Sequence, residues 1–156
     1  MRFSTREDIE APIEHVFGAV TDFDGFERQA LRRGAEVQRH DTYGKPGVGS
    51  EWQLKFTFRG KKRDVNARMT EFEAPNGFRA ETGSGGIEGL VSMDLVALSP
   101  RRTRMQMSID LTPKSLSARL LVQSLKFAKG NLNKKFSNRV WQFAQDVENK
   151  YRGSGR

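Results

Sequence analysis

Hydrophobic and polar residues alternate over much of this chain, as they do in strands with one buried face. Phe3, Thr5 and Ile9 share one parity within residues 2–10, which predicts a first strand. From Ala35 to Thr112, further alternating runs are separated by turns rich in glycine, proline and asparagine. The pattern predicts six more strands in an antiparallel meander with one apolar and one polar face.

Two segments between the first and second strands have helical spacing instead. Pro12 stands where a helix tolerates a missing N–H, and an apolar face follows it as far as Val20. Asp22 can cap a second short helix that ends at Gly34. Later in the chain, a change of parity near Thr70 indicates a β-bulge.

The C-terminal part is predicted to form one long amphipathic helix from Ser115 to Tyr151. Its apolar residues recur at helical spacing on a single stripe: Leu121, Leu125, Ala128, Leu132, Phe136, Val140, Phe143 and Val147. Ser115 or Ser117 can cap its start, and Gly153 follows its last apolar position. Gly130 lies inside the helix, where we expect either a bend beside a pocket or close packing against the sheet.

We therefore expect an α+β domain in which a curved antiparallel sheet of about seven strands wraps around the long C-terminal helix. The gap under the two short helices should be an apolar cavity. Methionines at inward positions favour an adaptable lining, because methionine packs against varied ligands. The predicted ligand-binding residues are Trp52, Leu54, Phe56, Phe58, Met69, Phe78, Met93, Met105, Met107, Leu121 and Leu125. A plain hydrophobic core is the alternative interpretation of this set.

Composition narrows the class of protein. The 156 residues suit a single domain, which we place at residues 1–152 with a flexible tail at 153–156. No apolar run approaches the ~20 residues of a membrane-spanning helix, and the N-terminus lacks the apolar region of a signal peptide. Because the chain has no cysteine, disulfides and thiolate sites are excluded. We expect a cytoplasmic protein.

The formal net charge of +8 is unevenly distributed. Residues 1–27 carry seven acids and two bases, whereas residues 114–139 carry seven bases and no acid. One interpretation is that these segments form complementary solvated faces that help the two ends pack. The other is that the basic segment binds an anionic membrane or nucleic acid, mainly through Lys126, Lys129, Lys134, Lys135 and Arg139.

The polar residues form no decisive catalytic pattern. His15 and Tyr43 are candidates for proton transfer, although a helix-edge position is the simpler interpretation of His15. Asp94 and Asp110 have polar parity, so we expect both to face solvent. The glycine-rich residues 83–86 lack the lysine of a phosphate-binding loop and are predicted to form a hairpin turn. The two histidines have no metal-ligand spacing, so we expect neither a metal nor a cofactor.

Three motifs connect this order of elements to a known group of folds. They are Ile9–Phe17, with the sequence IEAPIEHVF, then Val20–Phe23, with the sequence VTDF, and Leu111–Leu121 before the last helix. In these motifs the chain resembles the START/Bet v 1-like helix-grip superfamily, which includes START lipid-transfer domains, polyketide cyclase/dehydratases and coenzyme Q-binding proteins. The resemblance implies a hydrophobic molecule held between sheet and helix, but such motifs specify fold better than chemistry.

Our principal expectation is a non-catalytic protein that binds or transports a small hydrophobic ligand, such as a lipid, an isoprenoid quinone or a polyketide. The first alternative is a cyclase/dehydratase-type enzyme acting on a hydrophobic substrate, with His15 or Tyr43 directed into the cavity. The second is a nucleic-acid or ribosome-associated module that uses the basic segment. We do not favour nucleic acid, because the polar face offers few aromatic residues to stack on bases.

Overall fold

The computed structural model describes residues 1–154 as seven strands and four helices. In chain order these are β1 (Arg2–Ile9), α1 (Ile13–Val20), α2 (Phe23–Arg32), β2 (Glu36–His40), β3 (Glu51–Phe58), β4 (Lys61–Glu73), β5 (Gly77–Ser84), β6 (Ile87–Ser99), β7 (Arg102–Pro113), α3 (Leu116–Phe127) and α4 (Lys129–Ser154). Of the predicted tail, residues 153–154 continue α4, and residues 155–156 lie outside the described part.

The strands form one antiparallel sheet in the order β1-β7-β6-β5-β4-β3-β2. Strands β2 to β7 are neighbours in sequence order, as a meander requires, and β1 lies beside β7 at the far edge. The register between β4 and β5 shifts from Met69 to Glu71, which confirms the bulge predicted near Thr70. The predicted α+β helix-grip architecture is therefore confirmed.

The C-terminal helix is not continuous, so that part of the prediction is wrong. Ala128, with φ −97° and ψ 7°, interrupts the helical backbone between α3 and α4. Gly130 adds a weak helix former in the first turn of α4. It is exposed, and nothing lies within 4 Å of the place a Cβ would take, so the close-packing interpretation is also wrong. The predicted bend of the helix agrees better with the structure, although the break lies at Ala128, two residues before Gly130.

The hydrophobic core lies between the inner face of the sheet and α1, α2 and α4. Ile9 and Val16 are fully buried in it. Phe23 packs edge-on against Trp52 and Phe78, with ring centroids 5.1 and 5.8 Å apart. These aromatic rings pack under the short helices, in the region where the sequence predicts an apolar cavity.

Candidate ligand-binding cleft

The inner face of the β3–β4 hairpin is only partly covered. Trp52 marks this face, because its ring packs on Phe23 in the core. Alternation along β3 places Leu54, Phe56 and Phe58 on the same side as Trp52. Even so, Phe56 and Phe58 are 36% and 37% exposed. An apolar inner surface therefore continues beyond the core without a full covering.

Cross-strand pairs extend this surface onto β4. The pairs are Leu54 with Val65, Phe56 with Arg63, and Phe58 with Lys61. Directly opposite residues of an antiparallel pair share one face of the sheet. We call these six residues the open end.

Helix α3 reaches the open end at the β3–β4 turn. It begins beside the β5–β6 hairpin, where a Cβ added to Gly86 would lie 2.6 Å from Ser115 Oγ. Ser115 caps the helix by accepting a 3.1 Å hydrogen bond from the Ala118 N–H, as its sequence position predicts. Farther along, Ser124 Oγ accepts a 2.6 Å hydrogen bond from Arg59 Nη1 in the β3–β4 turn. We call the space between α3 and the open end the cleft.

Arg63 is the one charged side chain among the apolar residues at the middle of the open end. Its Nε atom is buried and has no hydrogen-bond partner within residues 1–154. Its guanidinium also forms none of the ion pairs found in that part of the chain. A buried donor without an acceptor costs free energy, so a bound acceptor would be favourable here.

Sequence reasoning missed Arg63, although a signal was present. The residue shares the inward parity of Val65, Ala67 and Met69 on β4. Its position beside Lys61 and Lys62 suggests a solvated turn cluster instead. Parity predicts the orientation of Arg63 correctly, because strand alternation already holds at the first residues of β4.

The predicted ligand-binding residues fall into two groups. Four of them, which we call the packed end, are buried in the core: Met69, Phe78, Met93 and Met105. Trp52 and Met107 are half-buried against that core. Of the rest, Leu54, Phe56 and Phe58 lie at the open end, Leu121 is half-buried on α3, and Leu125 is buried on the inner side of that helix. The predicted set therefore includes both residues packed in the core and residues on the partly exposed inner face of β3.

Two sizeable depressions lie outside the cleft. One, of about 1010 Å³, crosses the outer face of the sheet and is lined by polar residues such as Glu51, Arg68 and Glu81. The other, of about 640 Å³, is a groove between α1, α2 and α4 that includes His15 and Lys150. Both are lined by a mixture of polar and apolar residues, which differs from the wholly apolar cavity that the sequence predicts.

The candidate catalytic residues do not converge on the cleft. The His15 ring donates to the Val147 carbonyl oxygen, 3.3 Å from Nε2, and lies edge-on to Tyr151, with centroids 5.0 Å apart. It therefore joins α1 to α4, in keeping with a helix-edge role. Tyr43 is exposed in the loop between β2 and β3. Neither residue occupies the position that the enzyme hypothesis requires.

The acidic candidates are held in ion pairs on the polar face, as parity predicts. Asp94 pairs with Arg79 at 2.7 Å, and Asp110 pairs with Arg2 at 3.2 Å. Among residues 1–154, no cluster of three or more histidine, aspartate or glutamate side chains is arranged to hold a metal ion.

The acidic N-terminal segment pairs with arginines of the sheet. Arg39 bonds Asp24 at 2.7 Å, Glu27 at 2.5 Å and Asp41 at 3.2 Å. Burial opposes the charge on Arg39, but these three carboxylates outweigh burial and raise the pKa of its guanidinium. This network ties α2 to β2 and to the loop after it.

A second pair, Asp8 with Arg104, joins the edge strand β1 to β7. The hydrogen bond from Arg104 Nε, 2.9 Å long, lowers the pKa of Asp8, and the charges of Arg104, Arg102 and Arg6 act in the same direction against desolvation. The same bond raises the pKa of Arg104.

The basic segment behaves differently. Lys114 lies 3.7 Å from Glu88. The five residues singled out from the sequence, Lys126, Lys129, Lys134, Lys135 and Arg139, form no ion pair with any residue in 1–154. Within that part of the chain no ion pair joins residues 1–27 to residues 114–139, so direct ion pairs do not hold these two segments together.

Comparison with known proteins assigns the chain to a family. The profile of the family described as "Polyketide cyclase / dehydrase and lipid transport" matches residues 1–149. The chain belongs to this family. No curated protein sequence matches the chain at a significant level. In the described part of this member of the polyketide cyclase/dehydrase and lipid transport family, no helix is long and apolar enough to cross a membrane.

Solved structures confirm the fold of this polyketide cyclase/dehydrase and lipid transport family member. Zhui aromatase/cyclase from Streptomyces sp. R1128 has a TM-score of 0.69 at 12% identity, covering 99% of this chain and 98% of that one. A protein from Thermus thermophilus has 0.68 at 14%, covering 94% and 97%. Norcoclaurine synthase from Thalictrum flavum, in complex with dopamine and hydroxybenzaldehyde, has 0.63 at 11%, covering 94% and 86%. At these identities the likeness establishes the fold alone.

Proposed function

We propose that this protein binds an amphipathic hydrophobic molecule in the cleft, with the apolar part on Phe56 and Phe58 and an anionic group at Arg63. The family supports hydrophobic-ligand binding or a cyclase-type role in general terms. The observation that carries the finer proposal is the buried, unpartnered Nε of Arg63 beside two half-covered phenylalanines.

Partial burial of the Arg63 guanidinium costs free energy. A guanidinium without an acceptor loses hydration and gains no hydrogen bond in return. A carboxylate or phosphate can accept two parallel hydrogen bonds from it, and such charge-assisted bonds are stronger than neutral ones. The phenylalanines would bury apolar area against the rest of the ligand. A ligand with an acidic head and a hydrophobic body satisfies both requirements.

Binding is favoured here over a cyclase-type reaction. General acid–base catalysis needs a proton donor or acceptor within hydrogen-bond reach of the substrate. His15 is engaged with Val147 on the far side of the core, and Tyr43 lies in an exposed loop. Arg63 can orient or polarise a ligand, but an arginine guanidinium is not a general acid or base at ordinary pH.

The experiment compares a fluorescent fatty acid with its neutral alcohol analogue. We expect Arg63→Met to weaken binding of the acid by about tenfold or more while leaving the alcohol nearly unaffected, because hydrogen bonds to charged groups contribute about 1.5–3 kcal/mol. Arg68→Met is the matched control, since Arg68 lies exposed on the outer face of the same strand. Equal losses in both variants, or no binding of the acid by the original protein, would contradict the proposal.

We also propose that the basic segment brings the protein to an anionic membrane from which the ligand is taken up. The absence of intramolecular ion pairs at Lys126, Lys129 and Arg139 within residues 1–154 supports this, since those charges remain available to lipid headgroups. Each basic residue near such a surface contributes ~1 kcal/mol. Vesicle flotation should therefore weaken steeply as salt rises; binding that does not depend on salt would contradict the proposal.

A further inference from the structure

Helix α3 carries a row of large apolar side chains that face away from the protein. Leu116 is 75% exposed, Leu120 is 61% exposed and Phe127 is 95% exposed. With about 100° between successive helical residues, these three side chains fall within roughly 40° of one another. We call them the outer stripe. Scattered surface leucines are ordinary, but a one-sided row on one helix is the pattern of an interaction surface.

The opposite side of α3 is already used. Ala118, Val122 and Leu125 are buried against the rest of the protein. On a helical projection these residues are centred roughly 180° from the outer stripe. The outer stripe therefore contributes nothing to the core and is free to contact another apolar phase.

The charged residues around the outer stripe indicate what kind of surface it contacts. Arg119 and Lys126 flank the outer stripe on one side, and Lys129 follows directly after the break at Ala128. No aspartate or glutamate occurs anywhere in residues 114–145. An exposed apolar row whose charged neighbours on its own helix are all cations is the composition of helices that lie in the interface of an anionic bilayer.

The β3–β4 turn adds cations beside the same helix. Arg59 reaches Ser124 on α3, and Lys61 and Lys62, both exposed, begin β4 directly after the turn. The cations of the turn and of α3 thus border the side of the molecule at which the cleft lies.

We propose that α3 docks on an anionic phospholipid bilayer and inserts Leu116, Leu120 and Phe127 among the acyl chains. The bases around the outer stripe then contact lipid phosphates, and the cleft faces the membrane. Docking itself requires only the surface of α3; its use as a route for the ligand rests on the function proposed above. A second copy of this chain would bring two cationic surfaces together, and nucleic acid offers no apolar phase for aliphatic side chains.

The chain's lack of cysteine gives a direct test. Leu120→Cys and Phe127→Cys are each labelled with an environment-sensitive NBD dye and mixed with vesicles of phosphatidylcholine containing phosphatidylserine. Leu98→Cys is the control, because Leu98 is exposed at the opposite end of β6 from α3. We expect dye emission at positions 120 and 127 to rise and shift to the blue, with no change at position 98. Equal responses at all three sites, or none, would overturn the proposal.

Substitution of the outer stripe provides the second test. Leu116→Ser, Leu120→Ser and Phe127→Ser together should weaken binding to the same vesicles by about tenfold or more, because burial of apolar area drives insertion. The control pair Val96→Ser and Leu98→Ser removes exposed apolar side chains at the other end of the sheet and should have little effect. Unaltered vesicle binding by the triple variant would overturn the proposal.

Two further measurements separate docking from ligand binding. The triple variant should bind the free fluorescent fatty acid as the original protein does, since the outer stripe faces away from the cleft. If the original protein fails to bind the fatty acid but the dye-labelled Phe127→Cys variant responds to vesicles, the proposed function fails and docking stands. A duplex oligonucleotide that produces the same dye response at low salt would overturn the choice of a membrane.

Discussion

Arg59 donates a 2.6 Å hydrogen bond from Nη1 to Ser124 Oγ across 65 residues of sequence. This bond joins the turn of the β3–β4 hairpin to α3, and these are the two elements that border the cleft. Arg59 has φ of 53°, and Gly60 after it has φ of 75°, so both central residues of the turn are left-handed, as a type I′ hairpin turn requires. The turn thus holds the Arg59 side chain where it can reach the helix.

Loss of this bond should affect ligand exchange more than stability. We expect Ser124→Ala to speed dissociation of a bound fatty-acid probe several-fold, because α3 is then free to move away from the hairpin. The free energy of unfolding should change by only about 1 kcal/mol or less, since the pair is exposed. Stopped-flow displacement and urea unfolding measure the two effects.

Two other variants test whether the bond itself is responsible. Arg59→Asn removes the same bond and keeps a residue that tolerates positive φ, so it should speed dissociation to a similar degree. Gln123→Ala changes an exposed neighbour on α3 and should leave the rate unaltered. A rate unchanged in both Ser124→Ala and Arg59→Asn would show that this contact does not control access.

The division between the packed end and the open end predicts opposite responses to truncation. Met105→Ala should cost about 2–5 kcal/mol, because Met105 is almost fully buried and its removal leaves a cavity. Phe56→Ser should cost far less than burial of a phenylalanine would suggest, since the side chain is already partly exposed. Chemical denaturation checks both values. Similar losses in the two variants would indicate that the open end is packed in solution.

The strands, caps and bulge could be predicted because each depends on local pattern. Alternation placed the strands, and the side chain of Asp22 does cap α2, accepting a 3.1 Å hydrogen bond from the Gly25 N–H. The break at Ala128 could not be found in the same way. The spacing of Leu125, Ala128 and Leu132 is helical on both sides, so periodicity alone cannot distinguish one helix from two.

The candidate site was only partly predictable for a related reason. Inward parity identifies residues that face the core, but it does not show how far the covering helices extend over them. Phe56 and Phe78 look equivalent in sequence; only the placement of α1 and α2 leaves one accessible and covers the other. Arg63 required attention to parity at the start of a strand, where its basic neighbours suggested a solvated turn.

The network around Arg39 should fasten α2 to the sheet. Its side chain is largely buried and serves three carboxylates, of which Glu27 lies within 3.5 Å of Trp52 Nε1. Arg39→Met leaves these acids without their cation, and we expect a loss of about 1–3 kcal/mol in the free energy of unfolding. Urea unfolding provides the measurement. Arg32→Met, at the exposed end of α2, is the control and should have little effect.

If Arg39→Met unfolds at the same urea concentration as the original protein, the three carboxylates are hydrated by water in the variant at no cost in stability. In that case the ion pairs of Arg39 would only offset the cost of burying its charge and would add no net stability.

The pair of Asp8 with Arg104 predicts how stability depends on pH. Because the folded-state pKa of Asp8 is lowered, the folded protein releases the proton more readily than the unfolded chain. The stability that the pair supplies is therefore fully present above the ordinary pKa of aspartate, 3.8, and is lost as the pH falls through the lower folded value. Asp8→Asn removes this contribution. The variant should be less stable than the original protein near neutral pH, and the difference should shrink in acid.

Urea midpoints measured from about pH 7 to about pH 3 test this dependence. Asp64→Asn is the control, since Asp64 is exposed on β4 and forms no ion pair within residues 1–154. Its difference from the original protein should stay nearly constant over the range. If the Asp8→Asn difference also stays constant, Arg104 and Arg102 do not favour the charged form of Asp8 in the folded state, and the junction of β1 with β7 depends on backbone pairing and burial alone.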